Sequence, residues 1–364
     1  MERTKSITYT FSKRKIEDSS SHFTEASSDS MQEHVSTNFS SQTSLEHTSN
    51  SDHKNFSSDL IQIFPLTKSF SKSLQQEISK SSPSNLDKII ITLQKNMPEL
   101  MVDLYGNYLC QTLFHTCSAD QRLLLLNALK GSLVSIAYHP RGTHALQNLI
   151  AMTNLKEEEN IYREEYKQKI ISMSKDVNAS HVVQKLLMNI SNKYFVIREM
   201  IGHVKELAVD KFGVCVLKKC CNDPQIMSEV VGDVLLLMQH PYGNYVVQCI
   251  LDIWKEEVAY DFSSAIQGRV TQLCLQKYSS NVIEKALKIE YIRDCIVKEL
   301  LNENKIKDLI GNQYGCYVLR TLASVCPSKD RASVLESINK SLANLFAPKL
   351  KPLWQEIVQG LSRY

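Results

Sequence analysis

One short pattern returns seven times along this chain, and recurrence at a near-constant period confines a chain to architectures built by stacking like units. The pattern reads aromatic or polar, then small, then five residues of which the third and fourth are usually aliphatic. The first three instances are Tyr105-Gly106-Asn107-Tyr108-Leu109-Cys110-Gln111, Arg141-Gly142-Thr143-His144-Ala145-Leu146-Gln147 and Asn178-Ala179-Ser180-His181-Val182-Val183-Gln184. Then come Phe212-Gly213-Val214-Cys215-Val216-Leu217-Lys218 and Tyr242-Gly243-Asn244-Tyr245-Val246-Val247-Gln248. Tyr278-Ser279-Ser280-Asn281-Val282-Ile283-Glu284 and Tyr314-Gly315-Cys316-Tyr317-Val318-Leu319-Arg320 complete the set. The five-residue cores start at 107, 143, 180, 214, 244, 280 and 316, a spacing near 36 with one shorter step.

Between the motifs, apolar residues recur at three- and four-residue intervals, as in Leu123 to Leu126 with Leu129, and strand-like alternation is absent. The expectation is an all-α solenoid with two helices per unit, the pattern opening the second. The small residue then relieves crowding where the two helices meet. In a helix, motif positions three and four (Val182-Val183, Val246-Val247) turn into the core. Positions one, two and five lie together and are expected to line one exposed face, repeated in every unit.

A flat side chain beside two polar ones, one turn apart, is the equipment for holding an unpaired base. The flat group stacks on the base and the polar pair meets its edge. Stacking contributes roughly 1–3 kcal/mol per base, and an unpaired buried polar edge costs roughly 1–3 kcal/mol. The first effect supplies affinity and the second supplies specificity.

These units resemble the Pumilio/PUF family of RNA-binding repeats over roughly residues 63–364. Asn-Tyr-x-x-Gln at 107 and 244, and Ser-Asn-x-x-Glu at 280, carry the resemblance most closely. It implies a right-handed, crescent-shaped α-solenoid of about seven to eight Pumilio-type repeats. Single-stranded RNA would lie antiparallel on its inner face and protein co-regulators on its convex face. Such proteins usually repress or destabilise mRNAs through 3′ untranslated regions. A monomer and a cytoplasmic location follow as expectations, with nucleus or nucleolus as alternatives.

Carried over motif by motif, Asn107 with Gln111 and Asn244 with Gln248 resemble uracil readers. Ser280 with Glu284 resembles the guanine reader, since a carboxylate accepts from two adjacent guanine N–H groups. Ser180 with Gln184 resembles an adenine reader, and Thr143 with Gln147 is a looser version. Cys316 with Arg320 departs from the pattern; a guanidinium only donates, and cytosine offers two acceptors, so cytosine joins uracil there. Val214 with Lys218 fits no code. The stacking side chains are Tyr108, His144, His181, Cys215, Tyr245, Asn281 and Tyr317, with Cys215 a poor one. Taken from the C-terminal unit backwards, the expected element is 5′-(C or U)-G-U-N-A-(A or U)-U-3′.

Ser71-Lys72-Ser73-Leu74-Gln75 lies 36 residues before Asn107 but lacks the aromatic-small lead-in, so a degenerate eighth repeat and an N-terminal cap both stay open. From about Ser328 to Tyr364, with Trp354 and Leu361, a C-terminal cap is expected. Residues 1–62 are rich in Ser and Thr and poor in aliphatics, too apolar-poor to offset chain entropy. They are expected to form a disordered tail, either phosphorylated or an inert linker. Lys13-Arg14-Lys15 is too short a basic run to establish a nuclear signal.

The remaining features are read as ordinary surface or core. The net charge of +3 leaves room only for a local basic stripe. Lys185, Lys219 and Lys285 follow the motifs and either meet phosphates or are solvated surface. The acidic run Glu157-Glu158-Glu159, in the segment Lys156 to Lys169, is expected to be a solvated helix face. His115 near Cys117, and His139 and His240 before prolines, are expected at helix ends and turns. Ten cysteines show no zinc-site spacing, and Cys110, Cys249, Cys274 and Cys295 sit among aliphatics as reduced, buried hydrophobes. No apolar run reaches the roughly 18 residues of a membrane span, and the opening Met1-Glu2-Arg3-Thr4-Lys5-Ser6 has no apolar segment of the secretory type. Neither a nucleophile–base arrangement nor a glycine-rich phosphate loop occurs. An enzyme, a cofactor and a metal are therefore not expected. The rival from another class is a protein-binding solenoid of the armadillo or HEAT kind; a nucleolar PUF-type protein in ribosomal-RNA processing is the rival within RNA binding.

Overall fold

The computed structural model describes residues 66–302, 305–342, 355, 358 and 359. The expected tail, Lys13-Arg14-Lys15, Ile63, Trp354 and Leu361 lie outside the described residues. Among the described residues every regular element is helical.

Each full unit holds three helical segments rather than the two expected. A long outer helix leads to a short one of four to six residues, and the motif helix follows. Ala119–Ala128, Leu133–Tyr138 and Gly142–Ala151 form one such set, and Lys156–Tyr166, Ile170–Ser174 and Ala179–Asn189 form the next. In four units the extra break comes at a turn with a left-handed residue: Gly131, Gly202 and Gly268 have φ of 79°, 84° and 75°, and Gln168 takes the place in one unit at 59°. An apolar period continues across such a turn, so the break is invisible to periodicity alone.

Local capping sets the starts of several outer helices. Ser118 and Gln121 form a reciprocal capping box, with Gln121 N donating to Ser118 Oγ at 3.3 Å and Ser118 N to Gln121 Oε1 at 2.9 Å. Asp223 accepts from Gln225 N and Ile226 N ahead of a helix whose first residue is Pro224.

The core runs the length of the stack. Motif positions three and four are buried throughout, Val182, Val183, Val246 and Val247 among them. Each such side chain contributes roughly 1.5–3 kcal/mol on burial. Cys110 and Cys274 belong to this core and burial pushes their thiols up, holding them neutral, whereas Cys249 and Cys295 are only half-buried.

The small motif residue marks a close approach. A Cβ on Gly213 would stand 2.6 Å from the Leu207 carbonyl oxygen, and one on Gly243 2.7 Å from that of Leu237. Where serine replaces glycine, Ser279 Oγ donates to the corresponding carbonyl, Leu273 O, at 2.6 Å.

Two features escape the sequence reading. Glu158 is fully buried and pairs with Arg122, Oε1 to Nε 2.6 Å, while also accepting from the backbone of Asn154 and Leu155. Glu159 is buried too and accepts from Ser191 N and Asn192 N. Only Glu157 of the three is exposed, so the acidic run is a cap and a buried ion pair rather than a solvated face. The second feature is a set of carboxylates that close the left-handed turns. Glu165 accepts from Gly131 N, Glu199 from Gln168 N, Glu229 from Gly202 N and Glu299 from Gly268 N, at 2.7–2.9 Å. Each carboxylate comes from the outer helix of the following unit.

Candidate nucleic-acid interface

Every motif helix begins at the small residue, and in six of the seven units the side chain three places earlier ties down the approach. Asp103, Asp176, Asp210 and Asn312 each accept, through Oδ1, from two successive backbone N–H groups at the helix start. His139 and His240 do the same with Nδ1, at 3.2–3.3 Å. The two histidines are thus turn caps, with Nδ1 as the accepting nitrogen. This recurring cap fixes the angle at which its motif helix enters the row.

The second motif position is exposed in all seven units: Tyr108, His144, His181, Cys215, Tyr245, Asn281 and Tyr317. The first position is buried in all seven, from Asn107, Thr143 and Ser180 through Val214, Asn244 and Ser280 to Cys316. This corrects the expectation that positions one, two and five line the surface together. The first residue sits at the helix start, where backbone carbonyls from the preceding turn surround it. Asn107 Nδ2 donates to Asp103 O and Leu104 O, and Asn244 Nδ2 to His240 O and Pro241 O, at 2.8–3.0 Å.

The first residue in turn orients the fifth. With the Asn244 amide group committed to carbonyls, its Oδ1 faces outward and accepts from Gln248 Nε2 at 3.1 Å. Asn107 and Gln111 repeat this at 3.3 Å, and Thr143 accepts from Gln147 at 3.1 Å. Gln111, Gln147, Gln184, Gln248 and Glu284 are half-buried, with Lys218 and Arg320 more exposed. The fifth side chain is therefore the polar group on offer, and at Gln111, Gln147 and Gln248 the first sets how it is offered.

The N-terminal segment repeats this geometry. In the helix Lys68–Lys80, Gln75 Nε2 donates to the buried Ser71 Oγ at 3.0 Å. Ser71 Oγ donates to Tyr105 O at 2.8 Å, just as Thr143 Oγ1 donates to Asn178 O at 3.1 Å in the next-but-one unit. Lys72 occupies the exposed second position. By its hydrogen bonds this segment repeats the pattern of the row an eighth time, and at the far end the helix Ser328–Leu342 packs against the short helix Ile306–Ile310 and the outer helix Glu290–Asn302.

Neighbouring second-position side chains bracket open clefts. One, of about 360 Å³, is lined by Asn107, Tyr108, Gln111, His144, Gln147 and Lys185. Another of the same volume is lined by Tyr245, Gln248, Asn281, Glu284, Lys288 and Thr321. In the second, burial pushes the Glu284 carboxyl up, against the Thr321 hydroxyl and the charges of Arg320 and Lys288. Two cations lie on the rings themselves: Lys218 Nζ is 6.0 Å from the Tyr245 centroid and Arg320 Cζ 5.1 Å from that of Tyr317. Lys285 is turned to Asp252 at 2.8 Å.

The sequence reading took up the place directly after the motif only at Lys185, Lys219 and Lys285, and missed its other occupants. Thr112, Asn148 and Thr321 each donate to the fifth-position oxygen of the preceding unit. Their common register was the available signal. Among the described residues no cluster of three or more His, Cys, Asp or Glu is placed to hold a metal, and no helix is long and apolar enough to cross a membrane.

Comparison with known proteins meets this geometry from outside. The profile of the Pumilio-family RNA binding repeat matches residues 96–130, 169–197, 203–223, 233–258, 269–301 and 305–338. Pumilio homolog 12 of Arabidopsis thaliana is 30% identical over 302 residues, 79% of this chain and 50% of that protein. A Pumilio domain-containing protein of Schizosaccharomyces pombe is 28% identical over 80% of this chain and 44% of its own length. The chain spans about half the length of these curated relatives. Among solved structures, a Puf4 RNA binding domain bound to the HO endonuclease RNA 3′ UTR recognition sequence superposes with a TM-score of 0.73 at 27% identity. That match covers 81% of this chain and 96% of the other. The shared architecture is a crescent-shaped, right-handed helical-repeat solenoid. Six matched repeats, curated Pumilio relatives and a common fold lead to one conclusion: the chain belongs to the Pumilio (PUF) family of RNA-binding repeat proteins.

Proposed function

We propose that this chain binds single-stranded RNA sequence-specifically, one base per unit, and performs no catalysis of its own. The observation that carries the reading is the row itself. A protruding second-position side chain stands beside a fifth-position polar group, which the first position orients at Gln111, Gln147 and Gln248, and the arrangement returns in register. Bases stack on Tyr108, His144, His181, Tyr245, Asn281 and Tyr317, and their edges meet the fifth-position groups.

On this reading Gln111 and Gln248 take uracil, each amide matching an edge that both donates and accepts. Glu284 over Ser280 takes guanine, Gln184 over Ser180 adenine, and Gln147 over Thr143 adenine or uracil. Arg320 beside Cys316 takes cytosine or uracil. The Val214 unit, with Cys215 and Lys218, selects no base. Gln75 over Ser71 adds an adenine, so the element becomes 5′-(C or U)-G-U-N-A-(A or U)-U-A-3′. In this reading Lys185 and Lys219 meet phosphates, while Lys285 is paired to Asp252. The biological setting in this reading is cytoplasmic regulation of translation or mRNA stability through 3′ untranslated regions. The protein works as a monomer with co-regulators on the convex face. In support, the Puf4 domain described above was captured on a 3′ UTR recognition sequence.

The test is selection of bound RNA by the full chain from a random single-stranded pool. Enrichment of G-U preceded by C or U is the expected result. A folded preparation that enriches nothing overturns the proposal in favour of a protein-binding solenoid.

A further inference from the structure

Three fifth-position groups are gripped from the following unit, always by the residue directly after that unit's own fifth position. Asn148 Nδ2 donates to Gln111 Oε1 at 3.0 Å, Thr112 Oγ1 to Gln75 Oε1 at 3.4 Å, and Thr321 Oγ1 to Glu284 Oε2 at 2.9 Å. The same place holds Lys285 in the unit after Gln248, and that side chain turns away to Asp252. It holds Cys249 in the unit after Lys218, whose thiol reaches the backbone oxygen of Lys218 and the Cys221 thiol.

The grip decides orientation. Asn148 Nδ2 also donates to His144 O, so the nitrogen end of that amide is set by the backbone and must face Gln111 Oε1. On its other side Gln111 Nε2 is fixed by Asn107, which is fixed by carbonyls of the preceding turn. The Gln111 amide is thus anchored at both ends, with one N–H and one lone pair left to meet a base. Gln248 is anchored by Asn244 alone.

Glu284 is the sharpest case, because Ser280 beneath it bonds to Lys277 O and gives it no support. Thr321 supplies the hydroxyl that holds the carboxylate plane against the Tyr245–Asn281 cleft. An ionised carboxylate accepts from both N1–H and N2–H of guanine. A protonated or rotated one presents a donor or a single oxygen and loses that match.

We propose that a threonine or asparagine directly following the fifth motif position is a positioning residue for the preceding unit, and that Thr321 in this place makes Glu284 selective for guanine. The inference rests on the RNA-reading assignment above and goes beyond it, since Thr321 lies outside the reading positions.

The experiment measures binding of the full chain to RNAs that differ only at the base facing Glu284, for wild type, Thr321→Val and Thr321→Ser. Thr321→Val, of equal shape without the hydroxyl, is expected to lower the guanine-over-adenine preference about tenfold, the scale of one hydrogen bond to a charged group. Preference at the base facing Gln248 stays unchanged, and Thr321→Ser restores the guanine preference. Asn148→Ala, measured at the base facing Gln111, is expected to lower uracil preference in the same way. A Thr321→Val chain that keeps full guanine preference, or that weakens for all RNAs equally, overturns the positioning role. A wild-type chain indifferent to guanine at that base overturns the assignment of Glu284 itself, a separate failure.

Discussion

The Val214 unit and the Asn244 unit are neighbours built on the same frame for different ends. Both motif helices start at a glycine pressed against a carbonyl six residues earlier. Both are preceded by a side chain accepting two backbone N–H groups, Asp210 in one and His240 in the other. Beyond that they part. Gly213–Leu217 is five residues long and Gly243–Trp254 twelve. The shorter helix tightens at Lys219 and Cys220, whose N–H groups reach back only three residues, and Asp223-Pro224 then opens the next one. Val214 offers nothing where Asn244 anchors Gln248, and Cys215 stands where Tyr245 presents a ring. The frame and the chemistry therefore sit on different residues, and one can be lost while the other is kept.

That separation can be broken most forcefully in the frame. Glu158→Ala leaves the buried Arg122 charge without its counter-ion, with only the Asn154 amide oxygen to accept from it, and is expected to cost about 3–5 kcal/mol. Urea unfolding measures the loss, and the base preferences of the surviving folded protein should be unchanged. Gly213→Ala and Gly243→Ala place a Cβ against backbone and are each expected to cost about 1–3 kcal/mol. Equal losses support a shared frame; a loss at Gly243 alone refutes it.

The comparison is sharpened by moving the chemistry. Val214→Asn, Cys215→Tyr and Lys218→Gln in one chain should create uracil preference of roughly tenfold at the tolerant base, on the scale of one stacked, edge-matched contact. No gain would mean that the five-residue helix is too short to hold a reading amide.

The smallest effect concerns the caps. His139 Nδ1 accepts from Arg141 N and Gly142 N, and burial, with the Arg141 charge beside it, holds the imidazole below the ordinary histidine range. With the folded value depressed, the unfolded chain takes up more protons. This contribution is complete above the unfolded pKa of about 6.5. It is lost as pH falls through that value towards the folded one. The expected Tm drop between pH 7.5 and 5.5 should shrink in His139→Asn, which installs the residue found at the equivalent Asn312. An unchanged drop would place the pH dependence elsewhere.

Much of the fold was legible because a repeated apolar face writes the same residues at the same interval. Val182-Val183 and Val246-Val247 announce their burial in any register. The candidate row was legible in its outer members, since Tyr108, Tyr245 and Tyr317 stand out as aromatics on a helix start. The inner member was misplaced because exposure was read from helix geometry, which carries no record of the turn carbonyls that enclose Asn107 and Asn244. Glu158 was misread for a related reason. Its partner Arg122 is 36 residues away, and an acidic run looks the same in solvent as over a buried guanidinium. The turn caps at Asp103, His139, Asp176, Asp210, His240 and Asn312 were visible in principle, three places before each small residue, to an alignment that extended beyond the motif.

The carboxylates that close the left-handed turns all point one way along the chain. Glu165, Glu199, Glu229 and Glu299 each reach back to cover amides of the unit before, so the units overlap like tiles laid from one eave. A stack laid in this manner is unequal at its two ends. Trimming a unit from the front uncovers none of these amides, because the carboxylate removed with it had covered only what was removed. Trimming one from the back strips the cover from the unit that becomes last and opens its turn to water. Shortened or extended versions of this molecule will accordingly tolerate change at the amino end and demand a finishing piece at the carboxyl end.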